Sequence, residues 1–147
     1  MNRVLNTSTS VLMIFVLGWM LLGTSRLNAQ ESKSKEAQKV FAGFEDGLSK
    51  GTVDKFSNYF SEKNYLSLTN GITGYYSSNQ SYYVLKDFLS VYQPLSFKLV
   101  NIVTDTSMPF ASGVLRFNSK GIRGSANVFI SLQQIDNKWH ISQITVN

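Results

Sequence analysis

The chain has 147 residues, 14 lysines and arginines against 9 acids, a formal net charge of +5, and no cysteine. This is the length of one ordinary domain, and the missing cysteines exclude a disulfide framework, a thiolate metal site and a lipid anchor held by a cysteine. The basic residues are scattered rather than run together, which excludes the electrostatic footprint of a nucleic-acid-binding protein.

The first element is an address. Arg3 precedes Val11–Gly23, a stretch without charge, and Thr24–Ala29 is polar and ends on a small residue. That order of basic, apolar and small-residue regions is the pattern of a secretory signal peptide. The apolar stretch is shorter than the roughly 17–20 residues a spanning helix needs. The expectation is therefore a signal peptide over 1–29 and a single domain over 30–147, exported to the periplasm or secreted, with no stable membrane span after cleavage. The competing reading is a retained anchor. Cleavage removes Arg3 and Arg26 and leaves a net charge of +3.

After a polar lead-in, Ala37, Val40, Phe41, Phe44 and Leu48 recur at spacings of three and four, one stripe of a helix. Gly51 is placed to end it. Thr52 then predicts a short second helix with Val53, Phe56 and Tyr59 or Phe60 on its buried side. Residues 64–76 read as two short extended pieces around the Asn70-Gly71 turn. Ser77 with Gln80 has the spacing of a capping box, so a third helix is expected to run to about Tyr92, stopped by Pro94.

From Pro94 the period changes to two. Leu95, Phe97 and Leu99 alternate with Ser96, Lys98 and Val100, and further strands follow over 109–118, 121–135 and 138–146. Pairing Phe117 with Ile122 sets Leu115 against Gly124, Gly113 against Ala126 and Ala111 against Val128, an apolar inner face. It also sets Arg116 opposite Arg123 on the outer face, a like-charge pair that calls for compensation by an anion, an acidic partner or solvent. Asp136-Asn137 suits a two-residue hairpin turn pairing Ile135 with Lys138. Ile130 then meets Ile144, and Val128 meets Val146, if one extra residue forms a β-bulge at Ser142-Gln143. The sum is an α+β domain with three N-terminal helices packed on a curved antiparallel sheet.

This order of elements resembles the nuclear transport factor 2-like cone, the fold of ketosteroid isomerase and the SnoaL-type cyclases. More closely, Tyr75-Tyr76-Ser77-Ser78-Asn79-Gln80, Val84-Leu85-Lys86-Asp87-Phe88, Pro94-Leu95-Ser96-Phe97 and the terminal Trp139-His140-Ile141-Ser142-Gln143-Ile144 resemble an exported domain-of-unknown-function family of Bacteroidetes-type bacteria. The resemblance implies the cone fold, the exported compartment and, from the superfamily, a homodimer through the sheet. It implies no activity and carries over no catalytic residue.

No catalytic residue, cofactor or metal site is expected. The single histidine, His140, alternates with Trp139 and Ile141 and so points away from the core, and a lone imidazole without clustered carboxylates is not a metal site. Asp87 reads as a solvated helix residue and Asp105 as a turn residue. The inner strand positions carry no acid, which argues against a buried carboxylate base. The tyrosines around the third helix read first as core packing, and Tyr75, Tyr76, Tyr82, Phe88 and Tyr92 are also candidates to line a ligand pocket. Lys98, Arg116 and Arg123 form a candidate basic patch on the outer face. Apolar residues at Val100, Ile102, Val114 and Phe129 suggest that this face is covered by a second copy, the alternative being apolar residues scattered singly over the surface. The leading expectation is a non-enzymatic exported module binding a small apolar ligand or a protein partner. The alternatives are an enzyme using the cone pocket for proton transfer or lyase chemistry, and a dimerising interaction domain without a pocket.

Overall fold

A computed structural model describes the backbone from residue 7 to 147 and the side chains from residue 28 onward. The signal segment expected over 1–29 lies outside these described side chains, apart from the exposed Asn28 and Ala29. The elements in chain order are α1 (Thr7–Lys50), two single 3-10 turns (Val53–Lys55 and Ser57–Tyr59), β1 (Phe60–Ser67), β2 (Thr73–Ser77), α2 (Ser78–Val91), β3 (Gln93–Val103), β4 (Phe110–Ser119), β5 (Ile122–Ile135) and β6 (Lys138–Val146). The six strands form one curved sheet in the order β2-β1-β6-β5-β4-β3.

α1 ends where the sequence indicates, and for the expected reason. Gly51 takes φ +69°, its N–H donates to the Leu48 carbonyl, and the Thr52 N–H donates to that of Gly47. These two bonds close a Schellman motif, which a glycine in the left-handed region permits. α2 carries the expected capping box: the Ser77 N–H donates to Gln80 Oε1 at 2.9 Å, and the Gln80 N–H donates to Ser77 Oγ at 3.3 Å. Between them the expected second helix is absent. Phe56 N–H donates to Val53 O and Tyr59 N–H to Phe56 O, the three-residue spacing of 3-10 turns. A segment this short cannot repay α-helix nucleation, although Val53 and Phe56 are buried as the pattern implied. Among the described residues there are thus two α-helices rather than three, and α2 lies between β2 and β3, after the two short extended pieces as expected.

The sheet is mixed, not wholly antiparallel. β6 returns alongside β1 in parallel, joined at Phe60–Ile141 and again from Tyr65–Gln143 onward. Where β1 leaves the ladder, a buried polar cluster takes over. Ser61 Oγ donates to the Ile141 carbonyl at 2.9 Å. Asn64 accepts from the Ser61 N–H and donates to Ser61 O and to Ser81 Oγ. All three side chains are fully enclosed, and bonding them removes the cost of burying polar groups.

The β5–β6 register follows the sequence reading. Asp136 and Asn137 both have positive φ, 48° and 61°, as a type I′ turn requires. Ile130 meets Ile144 and Val128 meets Val146, with the shift falling beside Ser131 and Leu132, opposite Ser142. The β4–β5 register differs. Its turn is the two residues Lys120 (φ 52°) and Gly121 (φ 83°), so Phe117 meets Gly124, Leu115 meets Ala126, Gly113 meets Val128 and Ala111 meets Ile130. The expected pairing is displaced by two residues, an even number, so every side chain keeps its face. Arg116 accordingly faces Ser125, and Arg123 faces Asn118, rather than each other. The reason is steric: a Cβ at position 124 would lie 2.7 Å from the Phe117 ring, and glycine leaves that space open. β3 departs from simple alternation at two bulges, beside Leu95 and beside Val100. Leu95 is consequently exposed. Ile102 sits on the rung of the inner residue Ala111, not on the outer face.

The core lies between the helices and the concave side of the sheet. Ala37, Val40, Phe41, Phe44 and Leu48 of α1 are buried there, with Leu85, Phe88 and Leu89 of α2. A chain of edge-to-face rings crosses it, with Phe97–Phe44 at 5.8 Å, Phe44–Phe56 at 4.9 Å and Phe56–Phe60 at 5.8 Å. Each pair contributes about 0.5–1.5 kcal/mol beyond burial. Glu45 accepts from the Leu99 N–H at 2.7 Å, tying α1 to the bulged edge strand.

Gly47 makes the ring chain possible, since a Cβ there would lie 2.5 Å from the Phe56 ring and 2.7 Å from the Thr52 carbonyl. Intrinsic propensity alone would make Gly47→Ala stabilising by about 1 kcal/mol. We expect instead a destabilisation of about 1–3 kcal/mol from overpacking, read as a lowered midpoint in urea unfolding.

Candidate functional site

The functional-site candidate is a cleft of about 540 Å³, within the range of about 300–1,000 Å³ typical of small-molecule sites. Three separate segments build it. α1 supplies Glu36, Lys39 and Val40, which share one helix face by their spacing. The end of the second 3-10 turn supplies Asn58 and Tyr59, and the β5–β6 hairpin supplies Asp136 through His140. Val40, Tyr59 and Trp139 form an apolar and aromatic floor. Carboxylates, amides and lysines stand around it.

The cleft also holds His140. Its Nδ1 lies 3.3 Å from the Phe60 carbonyl oxygen. A carbonyl can only accept, so in this contact Nδ1 is the donor, and Nε2 is the ring nitrogen left over. His140 shares its rung with Gln133, off the inner face, as expected. It reaches the cleft because β1 pairs with β6 there only at Phe60.

The five residues expected to line a pocket are dispersed, and none of them lines this cleft. Phe88 stacks on Tyr92 at 4.6 Å, and Tyr92 meets Phe117 edge-on at 5.1 Å, which places these two within the packing between α2 and β4. Tyr75 is exposed on β2, against Tyr65 and beneath Lys63. Tyr76, its neighbour on β2, packs on the core. Tyr82 reaches back to the first 3-10 turn. The basic patch is brought together in part. Arg116 and Arg123 border one cleft, and Lys98 lies beside Val114, one rung from Arg116. Asp87 is exposed on α2, and Asp105 is exposed in the β3–β4 loop.

Glu36, Lys39, Asn58 and Tyr59 escaped the sequence reading because the cleft joins positions about a hundred residues apart. The one available signal was Trp139-His140 directly after a tight turn, where a large aromatic next to the single histidine ends at a sheet rim. Among the described residues no group of three or more His, Asp or Glu side chains is placed to hold a metal. Likewise no helix among them is long and apolar enough to cross a membrane.

Tyr82 donates to Asp54 Oδ1 at 2.9 Å, and Thr52 donates to Oδ2 at 3.0 Å. The Tyr82 hydrogen bond, then that of Thr52, holds the Asp54 carboxyl below its ordinary value of 3.8, with Lys86 adding to the effect. The same bond raises the Tyr82 hydroxyl above its ordinary 10.0. The stabilisation from Asp54 is present above pH 3.8 and lost as pH falls through its lower folded value. That from Tyr82 is present below pH 10.0 and lost as pH rises through its higher folded value. We expect Tyr82→Phe to flatten both limbs of a melting-temperature profile and to return the Asp54 carboxyl toward its ordinary titration, followed by carbon-13 NMR.

The DUF4783 family, a domain of unknown function, matches residues 41–147. A DUF4783 protein of Bacteroides uniformis superposes with a TM-score of 0.65 at 19% identity, over 72% of this chain and 94% of its own. A scytalone dehydratase candidate from Novosphingobium aromaticivorans superposes at 0.61 with 11% identity, over 82% and 87%. A protein designated Rd1NTF2_04 does so at 0.60 with 11% identity, over 76% and 99%. No protein of curated function matches the sequence.

Proposed function

The chain belongs to the DUF4783 family and has the nuclear transport factor 2-like α+β fold, and from that premise we propose that it is a non-catalytic binding module whose ligand occupies the cleft between α1 and the β5–β6 hairpin. The observation that carries this reading is the pairing of an aromatic floor, Trp139 and Tyr59, with a hydrogen-bonding rim. Meanwhile the concave side of the sheet is taken up by buried Phe, Leu, Ile and Val side chains. The floor suits a small ligand with a flat apolar face. Asn58, Asn137, Glu36 and Asp136 suit polar edges on that ligand. A metabolite screen by thermal shift tests it. A ligand at 100 times its Kd adds about 2.7 kcal/mol of stability. Tyr59→Ala should abolish the shift, and Tyr92→Ala should leave it. The reverse pattern would move the pocket to the tyrosines of α2 and overturn this assignment.

A second reading rests on His140. Its Nε2, in a cleft with Glu36 and Asp136, has the form of a general base and supports the alternative of proton-transfer chemistry. His140→Gln separates the two: binding that survives with no turnover in either protein supports the module, and turnover lost in the variant supports the enzyme.

We also propose that the chain is exported and pairs through the outer face of its sheet. Supporting export is the uncharged Val11–Gly23 stretch between Arg3 and a small-residue end. Supporting the pairing are stacked Phe110 and Phe129, 5.9 Å apart, and Val114, 43% exposed. Native mass spectrometry of the protein recovered from the producing cells checks both. The expected species begins near Gln30 and has the mass of two chains. An intact amino terminus in the membrane fraction would instead indicate a retained anchor.

A further inference from the structure

Between Asp87 and Asp136 the chain carries four cations, Lys98, Arg116, Lys120 and Arg123, and a single acid, Asp105. Asp105 lies in the loop before β4, and the strand from Phe110 to Arg116 alone spans about 20 Å at 3.3 Å per residue. The sheet register gathers the cations. On the outer face, Arg116 of β4 has Ser96 of β3 on one side of its rung and Ser125 of β5 on the other. Arg123 pairs with Asn118, on the diagonal from Arg116, a separation of about 7–8 Å that long side chains bridge. Among the described residues no acid lies within ion-pairing distance of either arginine. The two guanidinium groups border a cleft of about 490 Å³, with Leu95, Ser96, Gly124 and Ser125 completing its lining. The β-bulge beside Leu95 turns that side chain outward to form one wall.

Two arginines on this diagonal repel, and no acid among the described residues is placed to offset the repulsion. An anion between them would convert it to attraction. The planar guanidinium fork donates in pairs to phosphate and sulfate oxygens, and the Ser96 and Ser125 hydroxyls flank Arg116 as further donors. Adjacent strands fix the backbone positions of all four residues before binding. We propose that Arg116, Arg123, Ser96 and Ser125 form a binding site for a tetrahedral oxyanion, a phosphate or sulfate group. The site lies about 40 Å along β5 from the hairpin cleft at 3.3 Å per residue, and it stands independently of the reading given to that cleft.

The test is an NMR titration of the full chain with sodium phosphate and with sodium sulfate at constant ionic strength, sodium chloride serving as reference. The arginine Nε–H signals of Arg116 and Arg123 should shift with saturation. Arg116→Gln and Arg123→Gln should each weaken binding about tenfold or more, the loss expected for one charged hydrogen bond. Both residues are exposed, so both variants should keep the wild-type melting temperature. Lys120→Gln, in the turn just outside the cleft, should change the affinity less than twofold. Equal weakening by all three variants would mean diffuse surface charge and overturn the site. So would a non-saturating response no different from chloride. Co-sedimentation with phosphatidylglycerol vesicles, compared with phosphatidylcholine alone, identifies the source of the group. Retention abolished by Arg123→Gln assigns a lipid headgroup to the site. Saturable binding of the free ions without vesicle retention assigns a soluble phosphate or sulfate. Vesicle retention indifferent to both arginine variants, without saturable ion binding, overturns the proposal.

Discussion

One extra residue in β6 sets the geometry on which the rest of the domain depends. Ser142 has no partner in the β5 ladder: Ser131 meets Gln143 while Leu132 meets Ile141. Were Ser142 paired like its neighbours instead of bulged, Ile144 and Val146 would turn to the outer face while Ile141 stayed inside, because side chains alternate with a period of two. With the bulge, all three face the core, each no more than 2% exposed. The bulged residue is not left with unmet polarity, since Ser142 Oγ lies 3.1 Å from Ser131 Oγ and 3.2 Å from the Ser131 carbonyl. A bulge also bends its strand, and the bend coincides with the point where β1 parts from β6, between Phe60 and Tyr65. Ser61 and Asn64 fill that parting and reach Ser81 of α2. One inserted residue thus fixes the core face of β6, the separation of β1 and the seat of α2.

The same constraint explains which parts of the fold were legible in the sequence. Ile130, Ile144, Val128 and Val146 can share a face only if a residue is inserted near Ser142, so the apolar pattern reveals the bulge. Asp136-Asn137 tolerates positive φ at both positions and declares its turn. Lys120 does not, and a lysine at φ 52° hides a two-residue turn inside what reads as a four-residue loop. The resulting error of two residues kept every face and still misplaced Arg116 against Arg123. The bulges of β3 were less legible, because Leu95, Phe97 and Leu99 keep an unbroken apolar alternation past the first and Val100 reads as an outer-face residue at the second. Their phase is set from outside the strand: a Cβ at Gly113 would collide with the Lys98 carbonyl, and Glu45 of α1 captures the Leu99 N–H.

The candidate sites were less legible than the fold. Aromatic side chains report the need for apolar area, and the tyrosines around α2 satisfy it in several places, against Phe88, Phe117, Asp54 and Tyr65. Periodicity separates inside from outside within one element. It carries no information about a cleft assembled from α1, a 3-10 turn and a hairpin rim. Arg116 and Arg123 were visible for a different reason: like charges near one rung are an electrostatic anomaly in any nearby register, so the signal survived the register error.

The filled cone leaves the two proposed sites at its edges. In a fold of this shape, a sheet curved around helices can leave an internal cavity or close it with side chains. Here Phe41, Phe44 and Phe56 of the helical side meet Leu115, Ile130, Leu132 and Ile141 of the sheet, all fully enclosed. Opening ligand space among them would sacrifice their packing, at about 24 cal/mol for each Å³ of cavity. A void the size of the hairpin cleft would cost roughly 13 kcal/mol at that rate, comparable to the whole stability of a domain this size. Recognition is far less costly where the turn of β5–β6 and the bulged end of β3 already prevent close packing. Those are the two places where the polar and charged side chains converge.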